Sequence, residues 1–311
     1  MSNTTNEVDY AMSSEPLIYL NGAIAEAADA RISPFDRGFL WGDGVYEITP
    51  SFDGQLYRLG DHLDRLYRSL RYVRIDPGMD QVAMEAATME TLAANASRLE
   101  SGGMYRVGHW VTRGVDTNSM SALAAGPATV MIFFRKVDVA TIARNQANGL
   151  RLSVSATRRN PPECIEARAK VTSKMNQILA ELDAASNDSL SLMLDIHGNV
   201  AENSTANFFI ARNGTLMTPP EGNILEGVTR KVVFELCERL DIPVEERLFT
   251  MYDVSQADEC FLTSSAICAM PVREIDSFRP RAALPGPITS RLIAAFAADT
   301  GFDFTKLQQA A

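Results

Sequence analysis

Two short apolar runs, Leu17-Ile18-Tyr19-Leu20 and Ala23-Ile24-Ala25, are separated only by Asn21-Gly22. That dipeptide readily takes the positive-φ turn whose twist matches paired strands, so it predicts an antiparallel hairpin. Asp53-Gly54 repeats the signal between Gly44-Val45-Tyr46-Glu47-Ile48-Thr49 and Gln55-Leu56-Tyr57. Directly afterwards Leu59, Leu63, Leu66, Leu70 and Val73 recur at helical spacing, and Asp76-Pro77 ends the run. Hairpins leave one sheet face to be covered, and a helix with an apolar stripe can cover it. A chain that mixes the two in this way is expected to be α+β, in two layers.

The same reading extends along the chain. A second helix is expected over 80–100, and strands over Met104 to Thr112 and Ala128 to Phe134. The small, polar stretch Gly114 to Pro127 reads as a mobile loop. Further strands are expected at Leu150 to Ala156 and near 190–195, 200–204, 207–211, 244–248, 259–263 and 269–272. Helices are expected over Val228 to Leu240 and 287–299. The resulting division is a loose tail over 1–15, a small α/β domain over 16–135, a linker over 136–149 and a large domain over 150–311.

Charge and cysteine usage exclude several function classes. A net charge of −10 opposes a phosphate-rich polymer, so no nucleic-acid partner is expected. The four cysteines (Cys164, Cys237, Cys260, Cys268) form no C-x-x-C pair and the three histidines are far apart. Neither a disulfide framework nor a metal site is expected, and the cysteines read as buried thiols of a reducing compartment. The first 15 residues are polar and no apolar run reaches 18 residues, so neither a signal peptide nor a membrane span is expected. The compartment read from this is cytoplasmic.

Two residues carry the chemistry. Lys170 lies in Glu166-Ala-Arg-Ala-Lys170-Val-Thr-Ser-Lys174-Met-Asn176, just ahead of a helical run, and Glu202 follows a turn at Gly198-Asn199. A lysine amine can form an aldimine with pyridoxal phosphate, and a carboxylate can keep the pyridine nitrogen protonated. Lys170 and Lys174 are four apart and would share one helix face, where either would ordinarily be a solvated surface lysine. Ile224-Leu225-Glu226-Gly227-Val228-Thr229-Arg230 opens a helix whose free N–H groups, with the Thr229 hydroxyl, form an anion site. A plain N-cap serving its own helix suits these residues equally well.

Together the segments resemble the class IV, or fold-type IV, aminotransferases, a family of branched-chain, D-amino acid and (R)-amine transaminases and aminodeoxychorismate lyase. The resemblance runs from about Leu17 to Thr300. It includes Ser33-Pro34-Phe35-Asp36-Arg37-Gly38, Trp41-Gly42-Asp43-Gly44-Val45-Tyr46-Glu47 and His62-Leu63-Asp64-Arg65-Leu66. It continues through Glu202-Asn203-Ser204-Thr205-Ala206-Asn207-Phe208, where Asn203 replaces the usual glycine, and Phe261-Leu262-Thr263-Ser264-Ser265-Ala266. Asparagine tolerates a left-handed backbone, so that replacement is expected to be mild. The resemblance implies a two-domain α+β enzyme with pyridoxal 5′-phosphate in the interdomain cleft, closed by a second subunit of a homodimer. It implies Lys170 as the catalytic, cofactor-linked lysine, since Lys170 and not Lys174 stands at the family's distance from Glu202. Glu202 falls to the ring nitrogen, and Arg65, Val228, Thr229 and Ser265 to the phosphate. His62, one turn before Arg65, is expected to support packing.

Substrate is read partly from departures. The family's branched-chain members carry Tyr-x-Arg in a strand where this chain has the looser Tyr105-Arg106, and its D-amino acid members carry Arg-x-His after Thr-Arg-Gly. Here Thr112-Arg113-Gly114 is followed by neither residue. A buried substrate carboxylate without a cation is costly. Either (R)-amines suffice as donors or another cation serves, with Arg106, Arg113, Arg135 and Arg158 as candidates, each otherwise a surface ion pair. Trp41, Tyr46 and His109 are expected on the substrate side, Trp41 and His109 being equally suited to the core. The expected activity moves an amino group from a D-amino acid or (R)-amine to a 2-oxo acid such as pyruvate or 2-oxoglutarate. The alternatives are a branched-chain L-amino acid aminotransferase, a lyase of the same fold and a non-catalytic pyridoxal phosphate-binding protein.

Overall fold

The structure, a computed structural model, describes residues 15–118, 121 and 124–307. Apart from Glu15 the expected tail lies outside the described residues, as do parts of the expected 114–127 loop. That loop's described part is irregular and returns on itself through Gly126 N–H donating to the Val115 carbonyl.

The first layer pair holds β1 (Ile18–Leu20), β2 (Ala23–Ala25), α1 (Arg37–Trp41), β3 (Gly44–Phe52), β4 (Gln55–Leu56), α2 (Leu59–Val73), α3 (Gln81–Ala94), β5 (Met104–Thr112) and β6 (Thr129–Lys136). Its six strands run antiparallel in the order β2-β1-β6-β5-β3-β4. Both expected hairpins form, with Asn21 and Gly22 at φ 50 and 92 and Asp53 and Gly54 at φ 48 and 76. The α2 stripe is buried as its spacing predicts: Leu59, Leu63, Leu66 and Leu70 pack with Val45, Val107, Val111 and Ile132 of the sheet. α3 ends at Ala94 with Asn95 as its C-cap, short of residue 100, and has Asp80 as its N-cap, whose carboxylate accepts from Ala83 N–H at 2.8 Å.

The stretch expected as a linker folds as α4 (Val139–Asn148), capped by the Asp138 carboxylate accepting from Thr141 N–H at 3.0 Å. Thereafter come β7 (Leu150–Val154), α5 (Met175–Ala185), β8 (Leu190–Leu192), β9 (Asn207–Arg212), β10 (Thr215–Thr218), α6 (Val228–Arg239), β11 (Val244–Glu246), α7 (Met251–Val254), β12 (Glu259–Ser264), β13 (Ile267–Ile275), α8 (Pro287–Thr300) and α9 (Phe304–Leu307). The second sheet is mixed, in the order β11-β10-β9-β12-β13-β7-β8, with β10/β11, β13/β7 and β7/β8 parallel. No strand forms over 200–204. That segment makes only isolated bridges, Leu194 with Val200 and Glu202 with Asn207, and its backbone is tied to Met193 by Ala201 N–H donating to the Met193 carbonyl and Met193 N–H donating to the Glu202 carbonyl. In the core Phe209 and Phe261 stack at 5.0 Å, with Ile210, Val233 and Leu236 around them.

The two sheets meet through the end of β3. Phe52 packs its ring on Phe296 of α8 and on Phe302. Among the described residues no helix is long and apolar enough to cross a membrane, and no group of acidic, histidine or cysteine side chains could hold a metal ion. Cys237, Cys260 and Cys268 are buried, and burial raises all three thiols, Cys237 to about 11. Cys164 is exposed, unlike the expectation for it.

Candidate active site

Lys170 is held in an extended segment between the two layers of structure. Its N–H donates to Ser69 Oγ of α2 at 3.0 Å, and its carbonyl accepts from Tyr46 N–H of β3 at 3.0 Å. Val171 bridges Val45, and the Thr172 and Ser173 hydroxyls both donate to the Gly42 carbonyl, at 2.7 and 2.9 Å. These bonds keep the segment out of a helix. α5 begins only at Met175 with Lys174 as N-cap, so the two lysines do not share a helix face as their spacing suggested. Lys170 Nζ lies 4.6 Å from the centre of the Tyr46 ring. Burial of the amine, helped by the Arg65 guanidinium and opposed by Glu47 and Glu202, pushes its pKa down to about 8.

Glu202, buried, lines the same cleft as Lys170. Its Oε1 accepts from Arg159 Nε at 3.0 Å. Its Oε2 accepts from Asn207 Nδ2 at 3.2 Å and from Leu225 N–H at 3.0 Å. Asn203 does not use the left-handed backbone invoked for it, since its φ is not positive. Its amide instead ties the turn down, donating to the Ser191 carbonyl at 2.6 Å and accepting from Thr205 N–H at 3.1 Å.

Arg65 and the turn bearing Ser265 are each tied by a hydrogen bond to the start of α6, at Glu226 and Thr229. α6 starts at Val228 on Gly227 with no side chain capping it, which leaves first-turn N–H groups free. The Thr229 hydroxyl donates to the Ser264 carbonyl at 2.9 Å, seating the helix start beside the half-buried Ser265 between β12 and β13. Arg65 donates through Nη1 to the Glu226 carbonyl at 2.6 Å and grips Glu47 with two bonds, Nε to Oε1 at 2.6 Å and Nη2 to Oε2 at 2.8 Å. His62 does more than pack: its Nδ1 sits 2.9 Å from Glu47 Oε2. Burial would raise the Glu47 carboxyl, but Arg65 and His62 more than reverse this and hold it well below the usual carboxylate range.

The expected substrate residues separate. Along β5, Tyr105, Val107, His109 and Val111 turn to the helices, whereas Arg106, Gly108, Trp110 and Thr112 face the other way. His109 is therefore sealed against Thr88 of α3, 2.9 Å away, and burial pushes it down to about 4. Arg113 is consumed by Asp43, at 2.8 and 3.0 Å, and by the Arg74 and Val73 carbonyls. Arg106 and Arg135, exposed, sit side by side in the β5–β6 register, beyond the walls of the Lys170 cleft. Arg158, also exposed, donates to the Ser155 carbonyl at 2.9 Å. Trp41, exposed at the end of α1, lines an adjoining open cavity that shares Ile165, Val171 and Ser173 with the Lys170 cleft.

Tyr46 stays at the site and starts an aromatic row that sequence reasoning missed. Its ring is 4.6 Å from Trp110, which is 5.2 Å from Phe133 of β6. The row exists because Tyr46 and Trp110 are directly opposed in register and glycine at 108 leaves room for Phe133; a Cβ there would lie 2.4 Å from its ring. Arg159 and Ser69 were missed as well. Nothing in the dipeptide Arg158-Arg159 distinguishes the arginine that turns inward.

Comparison with known proteins matches residues 44–275 to the model of a family described as amino-transferase class IV. A Methanocaldococcus jannaschii protein with a provisional branched-chain-amino-acid aminotransferase name is 35% identical over 278 residues, 88% of this chain and 93% of that one. D-alanine aminotransferase of Bacillus licheniformis is 28% identical, over 88% of this chain and 94% of its own. Among solved structures, the branched-chain aminotransferase of Thermoproteus uzoniensis with norvaline is similar at a TM-score of 0.83 and 27% identity, covering 92% and 95% of the two chains. Another similar branched-chain enzyme is solved with pyridoxamine 5′-phosphate.

Proposed function

The chain belongs to the class IV aminotransferases, and from that premise we propose that it moves the amino group of a donor with an apolar side chain to a 2-oxo acid. Such enzymes use pyridoxal 5′-phosphate. The residues present fit that group. The uncapped helix start and the Ser265 turn supply phosphate donors, joined by the two Arg65 N–H groups not bonded to Glu47 or Glu226 and by the Thr229 hydroxyl once it turns from the Ser264 carbonyl. Gly227 fits the same reading: a Cβ there would fall 2.1 Å from Asn207 Oδ1, on a side chain already pinned to Glu202.

When bound, the cofactor supplies the electron sink into which the donor's reacting carbon–hydrogen bond ionises. Lys170 supplies the amine that holds it, and the lowered basicity of Nζ lets that atom both take and return the substrate proton near neutral pH. Glu202 is the carboxylate for the ring nitrogen, and Arg159, Asn207 and Leu225 N–H keep it from rotating away. Thr172, Ser173 and Ser69 fix the backbone from which Lys170 projects.

The observation that carries the donor class is the row Tyr46–Trp110–Phe133, an apolar wall reached from Lys170 through the Tyr46 ring. A D-amino acid or (R)-amine is the first reading; the arginines nearest this wall are the exposed Arg106 and Arg135, with Arg135 6.0 Å from the centre of the Phe133 ring. An L-branched-chain donor is the second, favoured by the 35% identity to the Methanocaldococcus jannaschii protein. We read the enzyme as a cytoplasmic homodimer; the exposed Phe35, Phe39, Leu40 and Trp41 around α1 support the second subunit.

The test is the absorbance of the holoenzyme when D-alanine, L-leucine and (R)-1-phenylethylamine are added separately without acceptor. Loss of the cofactor's visible band is expected, at least about tenfold faster with a bulky apolar donor than with D-alanine. Faster reaction with D-alanine would refute the apolar-donor reading. Silence with every donor would refute transamination.

A further inference from the structure

We propose that Lys174 is the cation that receives the substrate's carboxylate, and that it sets the preference for carboxylate-bearing over carboxylate-free substrates. The inference rests on the transaminase reading and answers the question that the arginines leave open. Three cations line the Lys170–Glu202 cleft: Arg159, Lys170 and Lys174. Arg159 is spent on Glu202 at 3.0 Å, and Lys170 carries the amine chemistry. Arg113 is closed off by Asp43 outside the cleft. Among the described residues Lys174 forms no ion pair, and its Nζ donates to one backbone carbonyl, that of Ser204, at 3.1 Å. An ammonium has three donors, so two remain.

The setting of Lys174 is unfavourable for a bare cation. It is the N-cap of α5, where the partial positive charge of an 11-residue helix collects and where acceptor side chains are preferred. It is half-buried rather than extended to water, and it lies close enough to Lys170 for the two charges to repel. Burial foremost, and Lys170 in addition, push the amine below the ordinary lysine range, against the pull of Tyr46 and Glu202. A surface lysine would relieve all three penalties by turning outward. A carboxylate arriving in the cleft relieves them in place. The Tyr46 ring lies under Lys170, which lines the same cleft as Lys174. A carboxylate on Lys174 thus leaves the rest of the substrate against the aromatic wall.

The experiment compares wild type, Lys174→Met and Lys174→Arg as holoenzymes. Single-turnover rate constants are measured with an apolar amino acid and with a primary amine of similar size lacking the carboxylate. Equilibrium titration with hexanoate, and with 1-hexanol as control, is followed by calorimetry. The amino acid to amine ratio is expected to fall more than about tenfold in Lys174→Met, with hexanoate binding weakened in proportion and both recovered in part by Lys174→Arg. An unchanged ratio with unchanged hexanoate affinity overturns the proposal. So does an equal slowing of both donors with a shifted pH dependence of the cofactor band, which would place Lys174 on the cofactor. If the wild type reacts with no donor, transamination fails, and the hexanoate titration alone then decides the role of Lys174.

Discussion

At the scale of single residues the site rests on two buried charge arrangements. Lys170, pushed down to about 8, should capture pyridoxal phosphate at a rate that rises with pH and levels off above a midpoint near 8. A midpoint near the ordinary lysine value in stopped-flow reconstitution of the apoenzyme would contradict the desolvated amine. Glu47 takes both Arg65 and His62, so Glu47→Gln should cost about 3–5 kcal/mol in denaturant unfolding, because it strands a buried guanidinium. The carboxyl's folded pKa lies below its ordinary 4.5. Its contribution is therefore complete above 4.5 and is lost as pH falls through the folded value, so the gap between variant and wild type should narrow in acid. Lys170, Glu202, Arg65 and Thr229 could be named from the sequence because each stands inside an ordered motif, and the structure brings Lys170 and Glu202 to one cleft. His109 and Arg159 were not legible. A strand's alternation does not say which parity faces the helices, and two adjacent arginines carry no mark of which one turns inward.

Elements were legible where local chemistry agreed with tertiary demand. The leucine stripe of α2 and the Asn21-Gly22 and Asp53-Gly54 turns are such cases, and Asn213-Gly214, at φ 51 and 82 between β9 and β10, carries the same signal unused. The Lys170 segment was illegible because its i, i+4 lysines imitate a helix face. Hydroxyl bonds to Gly42, whose partner lies 130 positions away, decide the matter instead. The start of α6 gives an element-scale prediction. Gly227→Ala should weaken pyridoxal phosphate binding by more than about tenfold, since the new methyl meets Asn207 and Arg230 and cannot be absorbed without moving the helix start. Gly60→Ala, in α2 with no atom within 4 Å of the new methyl, should instead stabilise the chain by about 0.4–1 kcal/mol. Equal cofactor affinity in the two variants, measured by equilibrium titration, would remove the start of α6 from the phosphate site.

For the whole molecule, two sheets of six and seven strands hold the site from both sides, and the α+β class follows from the hairpin and helix signals. What no local signal conveys is the outer surface. Ile32, Phe35, Phe39 and Trp41 are 48%, 63%, 77% and 59% exposed, a group of apolar side chains close together in sequence and open to water. Phe39→Asp should convert a dimer to monomers in light scattering after size exclusion, and a monomeric wild type would refute the dimer. The aromatic row has an optical consequence. The chain holds two tryptophans, and only Trp110 belongs to the row, one ring removed from the one beneath Lys170 Nζ. With Trp41 replaced by phenylalanine, every photon of tryptophan emission would come from the ring beside Tyr46. Energy transfer to a chromophore on Lys170 would dim that emission, and losing the chromophore would restore it, so the protein carries its own occupancy gauge.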